Sequence, residues 1–294
     1  MKTRLPVAGC RLQVARRNQS AGKTFNLQPS TFNLRRGFTL MELLVVITIL
    51  GLLAALTVPA LKNIGQSQVQ VSAARQLLDD VGRARQLAIG QRTTVYMIFV
   101  PANFWSPIWG DTAGNFTPAW NNLPYNQKSA VTNLLDKQCT GYNFISLRSV
   151  GDQPGQGMTR YLADWKSLPE GAFIAINKFI FNTNIAAYPV NRFNYTNNIP
   201  FPTETNYSGI SLPYIAFNYL GQLTVDGVNL APQDEYIPLA QGAVSYPVDA
   251  QKNLQPTAAT FDENPPGNSA NSMFNLVGID RLTGRATLRQ QKIQ

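Results

Sequence analysis

One carboxylate stands out in this sequence by its position. Glu42 is the only charged residue between Phe38 and Leu61. A carboxylate within a membrane helix costs roughly 2.5–3.5 kcal/mol at the centre and less near the interface, so it is by default a functional group. The chemistry open to it is pairing with a cation brought alongside; the competing reading is a side chain that merely reaches up to the headgroups. Chemistry-bearing residues are scarce elsewhere. The chain has no histidine, which removes Ser–His–Asp triads, Cys–His pairs and histidine-ligated zinc together. Its two cysteines are Cys10 and Cys139, and Cys139 is expected to be a buried small apolar side chain. No pair of carboxylates suggests an enzyme, and neither cofactor nor metal is expected. Asp226, Asp234 and Glu235 could gather around calcium in a loop, but their spacing does not show convergence. The stretch from Gly151 to Gly157 is glycine-rich, yet Pro154 interrupts it and a turn is the expected reading. Asn115, Asn194 and Asn206 each begin a glycosylation-type tripeptide, a pattern that arises by chance in an Asn-rich chain.

The charge lies at one end. Over 294 residues the net charge is +9. Lys2, Arg4, Arg11, Arg16, Arg17, Lys23, Arg35 and Arg36 supply eight of the 25 basic residues before position 37, with no acid among them. The rest of the chain is nearly neutral, so the basic balance does not point to nucleic acid.

From Leu43 to Leu61 no residue is charged, and about 20 apolar residues suffice to span a bilayer as a helix. A secretory signal peptide has a shorter apolar core and a small-residue cleavage site, for which Ala54-Ala55 is a weak candidate. A plain signal anchor, with Arg35 and Arg36 held inside, fits the positive-inside rule. On length and composition alone the anchor leads. After Leu61 the apolar positions fall into helical spacing: Ala74, Leu77, Leu78, Val81, Ala84, Ala88 and Ile89. Arg75, Asp79, Asp80, Arg83 and Arg85 sit between them. One long helix from about Phe38 to Ile89 is expected, with Pro59 kinking it and Gly90 capping it.

The residues around position 37 carry a resemblance. Arg35-Arg36-Gly37, then Phe38-Thr39-Leu40-Met41-Glu42 and Leu43-Leu44-Val45-Val46-Ile47, resemble the class III signal of type IV pilins and type II secretion pseudopilins. Pro59 falls where many members carry a kinking proline. The resemblance implies that a prepilin peptidase cuts between Gly37 and Phe38 and that Phe38 is N-methylated. It also implies that Glu42 is the assembly contact, facing the new amine of a neighbouring subunit. The leader of 37 residues is longer than most in this family, and Thr24-Phe25-Asn26-Leu27 recurs in it as Thr31-Phe32-Asn33-Leu34.

Beyond the helix the pattern turns to strands: Thr94–Val100, Ala172–Ile176, Lys178–Phe181, Tyr214–Asn218, Gln222–Val225, Phe274–Ile279 and Ala286–Arg289. Residues 101–165 read as a long loop insertion with short elements. Ser72–Arg92, Leu168-Pro169-Glu170-Gly171, Ile215–Gly221 and Val277–Arg285 are similar to segments of GspH/FimT-type minor pseudopilins, whose head is a β-sandwich packed on the helix. The expected fold is therefore α+β: a long N-terminal helix, half membrane and half amphipathic, on an antiparallel β-sandwich head. The expected division is a removed leader at 1–37, a membrane and filament-core helix at 38–61, its amphipathic continuation at 62–92, and a β-rich periplasmic head at 93–294. The implied partners are the prepilin peptidase, other pilin or pseudopilin subunits, an inner-membrane assembly platform and the lipid bilayer. Arg285, Arg289 and Lys292 are the candidate DNA contacts of a DNA-uptake alternative; a solvated edge strand is the favoured reading of them. A surface protein that is anchored but never polymerises is the other alternative.

Overall fold

The computed structural model describes residues 39–105, 125–149, 151–153, 155, 157–196, 199, 212–270 and 275–290, with backbone alone at 56–67, 126–127 and 130. The chain forms two compact units, Met1–Ala54 and Ala55–Gln294. Helix α1 runs Leu40–Gln91, close to the expected span. Within the second unit its buried face is Ala73, Ala74, Leu77, Val81, Ala84 and Ala88, all fully buried. Four of these are alanines, which let the strands approach the helix closely. Gly90 does not end the helix. Arg92 does, at φ 50, with the Arg92 N–H donating to the Ile89 carbonyl at 3.3 Å and the Thr93 N–H to Ala88 at 3.2 Å. That pair of bonds is a Schellman closure, with an arginine where glycine is usual. The left-handed conformation costs a non-glycine residue roughly 1–2 kcal/mol, and glycine gives back about 0.5–1 kcal/mol in backbone entropy. Arg92→Gly should therefore stabilise the protein by about 0.5 kcal/mol, read as a raised urea midpoint; a lowered midpoint would contradict this closure.

The strands follow in order: β1 (Val95–Phe99), then helix α2 (Tyr125–Thr132), β2 (Gly141–Ser146), β3 (Arg160–Tyr161), β4 (Lys166–Ser167), β5 (Ala172–Ile174) and helix α3 (Asn177–Ile180). Next come β6 (Thr183–Ile185), β7 (Tyr188–Val190), β8 (Asn194–Thr196), β9 (Leu212–Phe217), β10 (Leu223–Thr224), β11 (Glu235–Ser245), β12 (Thr260–Glu263), β13 (Asn275–Ile279) and β14 (Ala286–Gln290). One sheet runs β10-β9-β1-β2-β3, with β4 also on β2 and β8 on β9. A second runs β12-β11-β13-β14, with β5 on β11, and β6 and β7 form a hairpin. The fold is α+β, an N-terminal helix followed by antiparallel sheets.

A single core joins α1 to both sheets: Val95, Met97 and Phe99 of β1, Tyr142 and Phe144 of β2, Ile237 and Leu239 of β11, and Val277 and Ile279 of β13 all belong to it. The alternate residues Tyr96 and Ile98 point the other way, into a second cluster with Phe104, Trp105, Val131, Leu134 and Leu135. Strand β1 is buried on both faces, which accounts for its unbroken apolar run.

Three expectations need correction. Residues 101–165 are more than a loop insertion. They supply β2, fully buried and paired with β1 from Val95↔Ser146 to Phe99↔Tyr142, and much of the layer over the outer face of the first sheet. Lys178–Ile180 lie in the helix Asn177–Ile180 rather than in a strand, and Phe181 follows it in extended conformation. The longest strand, β11, was not foreseen; Pro238 and Gly242 interrupt its pattern.

Burial makes several groups weaker acids. It pushes the Cys139 thiol up to about 12 and the Tyr214 phenol to about 12; the Tyr142 phenol is also raised, by burial and then by Asp80 beside it. Each group holds its proton more tightly folded than unfolded. The stability this represents is whole below the unfolded values of 9.0 and 10.0 and is lost as pH rises through them towards 12. Urea midpoints should hold steady up to about pH 8 and fall steeply by about pH 11; a flat profile would contradict the burial.

Candidate functional site

Gly37 and Phe38 lie outside the described residues. Immediately after them, Thr39 caps the helix. Its Oγ1 accepts the Glu42 N–H at 3.2 Å, and its carbonyl accepts Leu43 N–H at 3.1 Å. Thr39 is thus the N-cap and Glu42 the third helical residue, the spacing of a capping box. The sequence carries this signal as Thr39-x-x-Glu42, which places the start of the helix just after the expected Phe38. Two forces hold Glu42 in place: the N-terminal partial charge of α1 favours an acid there, and Thr39 fixes where the first turn begins. Its carboxylate is exposed, available to a cation from outside this chain.

The apolar side chains that follow are exposed as well. Leu40 is 85% exposed, and Leu43, Leu44, Ile47, Leu50 and Leu53 are all open. Thr48, the polar residue among them, turns its hydroxyl back to the Val45 carbonyl at 2.8 Å. A surface so apolar is unstable in water unless something covers it. Pro59 is within α1, and its side chain lies outside the described residues, as do those at 56–61 that complete the expected span from Leu43 to Leu61. Among the described residues no helix is long and apolar enough to cross a membrane.

The C-terminal basic residues occupy a different place. Arg285 and Arg289 share a face with Thr287, around a recess of about 260 Å³ that Asp234, Tyr236 and Asp280 also line. Asp280 accepts the Thr283 N–H at 2.7 Å and Leu282 N–H at 3.1 Å, and these bonds hold its carboxyl below the usual range. Asp234 accepts the Arg281 N–H at 3.0 Å, while the Arg281 guanidinium donates to the Pro232 carbonyl at 2.8 Å. Among the described residues lining the recess, two carboxylates stand against two guanidiniums, with Arg281 beside them on the Pro232 carbonyl. Lys292 is outside the described residues.

The other sequence candidates separate. Asp226 is taken up by the N–H groups of Val228 and Asn229 at 2.9 and 2.7 Å, Asp234 by Arg281, and Glu235 by Lys178. Among the described residues no group of three metal-ligating side chains could hold a metal ion. In the glycine-rich loop, Asp152 accepts the Ser149 and Met158 N–H groups at 2.7 and 2.9 Å. A carboxylate therefore fills the position a phosphate would need, and the loop is a turn. Asn194 pairs with Tyr214 within the first sheet; Asn115 and Asn206 lie outside the described residues. Cys139 is free and buried.

Two polar clusters escaped the sequence reading. Asp80, placed there on the polar side of the helix, is only 5% exposed. It accepts the Tyr142 hydroxyl at 2.5 Å and pairs with Lys166, while the Gln76 amide donates to the Tyr142 hydroxyl and to the Ser167 carbonyl, both at 2.8 Å. The spacing Ala73, Leu77, Asp80, Ala84 on one helical face was its only signal. The network fastens α1 to β2 and β4, and it brings no nucleophile to a base. The second cluster is Lys178, fully buried, paired with Glu235.

Comparison with known families gives a match near the N-terminus. The model of the prokaryotic N-terminal methylation motif matches residues 32–58, a span that includes Gly37, Phe38, Thr39 and Glu42. This stretch is a type IV pilin-like signal of the class III kind. Neither curated proteins nor solved structures give a match to the chain.

Proposed function

We propose that this chain is a non-enzymatic structural subunit, a GspH-like minor pseudopilin of a type II secretion pseudopilus or a related type IV pilus-like filament. Its precursor is cut by a prepilin peptidase between Gly37 and Phe38, and Phe38 is methylated. It sits first in the bacterial inner membrane as a single-pass protein, with the leader cytoplasmic and the head periplasmic. An assembly platform then moves it into the filament. The observation that carries this reading is the methylation motif at residues 32–58, which runs into a helix capped at Thr39 with exposed apolar side chains. The cap supports it physically, because it starts the helix at Thr39, the residue after the proposed new terminus. The carboxylates of Asp234 and Asp280 beside Arg285 and Arg289 favour a solvated strand over a DNA contact.

The intact mass and N-terminal residue of the protein extracted from its native membrane test the proposal. The expected product begins at methylated Phe38. A chain that retains residues 1–37, or one cut near Ala55, would overturn it.

A further inference from the structure

A shallow recess of about 500 Å³ opens between the end of α3 and strand β8. Its floor is Phe193, buried and stacked on Phe99 at 4.5 Å, with the Lys178 ammonium 4.6 Å from its ring centre. Phe181 and Tyr195 also line it and are 54% and 49% exposed. Beside these rings come the amides of Asn182, Asn191 and Asn194 and the guanidinium of Arg192.

The wall is fixed by contacts already made. The Asn182 Oδ1 accepts the Arg192 backbone N–H at 2.7 Å, and Lys178 donates to the Asn191 carbonyl. The Arg192 guanidinium lies over the Tyr195 ring at 5.0 Å, with Nη2 donating to the Tyr195 hydroxyl at 3.4 Å. An arginine stacked on a ring keeps the outer edge of its fork free for a planar anion. Among the described residues, none that lines the recess is acidic.

Phe181 and Tyr195 add little to the core at these exposures. Exposed rings beside side-chain amides, around a concave floor, match the needs of a sugar. Its C–H faces lie against rings, and its vicinal hydroxyls trade hydrogen bonds with amides that both donate and accept. A nucleic-acid strand would require a run of cations along its phosphates, and among the described residues the lining carries a single guanidinium. We propose that this recess binds an oligosaccharide carrying uronate groups, with Phe181 as the stacking surface, the asparagines reading hydroxyls and Arg192, held over Tyr195, meeting a carboxylate.

Calorimetric titration of the full-length protein in detergent micelles tests this, with trigalacturonate, neutral xylotriose and oligothymidylate as probes. Trigalacturonate should bind saturably and about tenfold more tightly than xylotriose. Phe181→Ala should weaken both sugars about tenfold, and Arg192→Gln should erase the preference for the uronate. Both side chains are exposed, so an unchanged urea midpoint separates lost binding from lost folding. The proposal is overturned by no saturable sugar binding, by equal affinity for the two sugars, by a Phe181→Ala variant that binds like the parent, or by oligothymidylate displacing the uronate.

Discussion

Lys178→Met is expected to remove about 3–5 kcal/mol of stability, the usual cost of taking one partner from a buried ion pair. Lys178 has no exposed surface. Its ammonium bonds the Glu235 carboxylate and the Asn191 carbonyl, and it is carried on a helix of four residues. Burial pushes Lys178 down and Glu235 up from their ordinary values, and the attraction between them opposes both shifts. Methionine keeps the apolar stem but leaves Glu235 without its cation. Against a typical total of about 5–15 kcal/mol, such a loss is large. Urea unfolding of the full chain in micelles, followed by tryptophan fluorescence, measures it. The double variant with Glu235→Leu should recover most of the loss, since an apolar pair can replace a buried ionic one. The pH dependence has a definite sign. Without its lysine, Glu235 has a folded value raised above the unfolded 4.5, so the deficit grows as pH rises from about 4 to about 7. A single-variant loss under about 1 kcal/mol would contradict burial of the pair.

On the filament reading proposed above, Glu42→Val should leave cleavage intact and abolish incorporation of the subunit. Opposite charges about 4 Å apart gain about 4 kcal/mol at an effective dielectric of 20, so losing the pair weakens association by about a thousandfold. Valine also removes a favourable acid from the first helical turn. Glu42→Gln separates these contributions, because glutamine serves in a capping box as glutamate does but carries no charge. Sheared filaments should contain neither variant, while the membrane fraction holds both, each beginning at Phe38. Glu42→Gln found in filaments at the parent's level would remove charge pairing from the account.

Much of this protein is local and could be read from its residues. The methylation signal is a run of neighbours, Gly37 through Glu42, followed by apolar residues. The unbroken apolar sequence of β1 marks a strand buried on both faces, and Ala74, Leu77, Val81, Ala84 and Ala88 mark the core side of α1 by spacing alone. β2 was hidden because Gly141 and Asn143 break a strand's composition. Asn143 is nonetheless buried, with its Oδ1 accepting the Phe144 N–H at 2.7 Å. In β11, Pro238 faces Leu276 and Gly242 faces Glu263, so two residues that usually end strands sit inside the longest one. The core partner here outweighs local propensity.

The polar interior depended wholly on tertiary structure. Asp80 is buried because Tyr142 and Lys166 reach it from 62 and 86 residues away, and Lys178 because Glu235 meets it from 57 residues away. The cost of burying a charge is met only by a partner whose position the fold decides. Sequence by itself thus determined the signal, the helix and the strand-rich head. Which charges go inside, and where aromatic rings stay out at the Phe181–Tyr195 recess, was decided by long-range packing that no local spacing encodes.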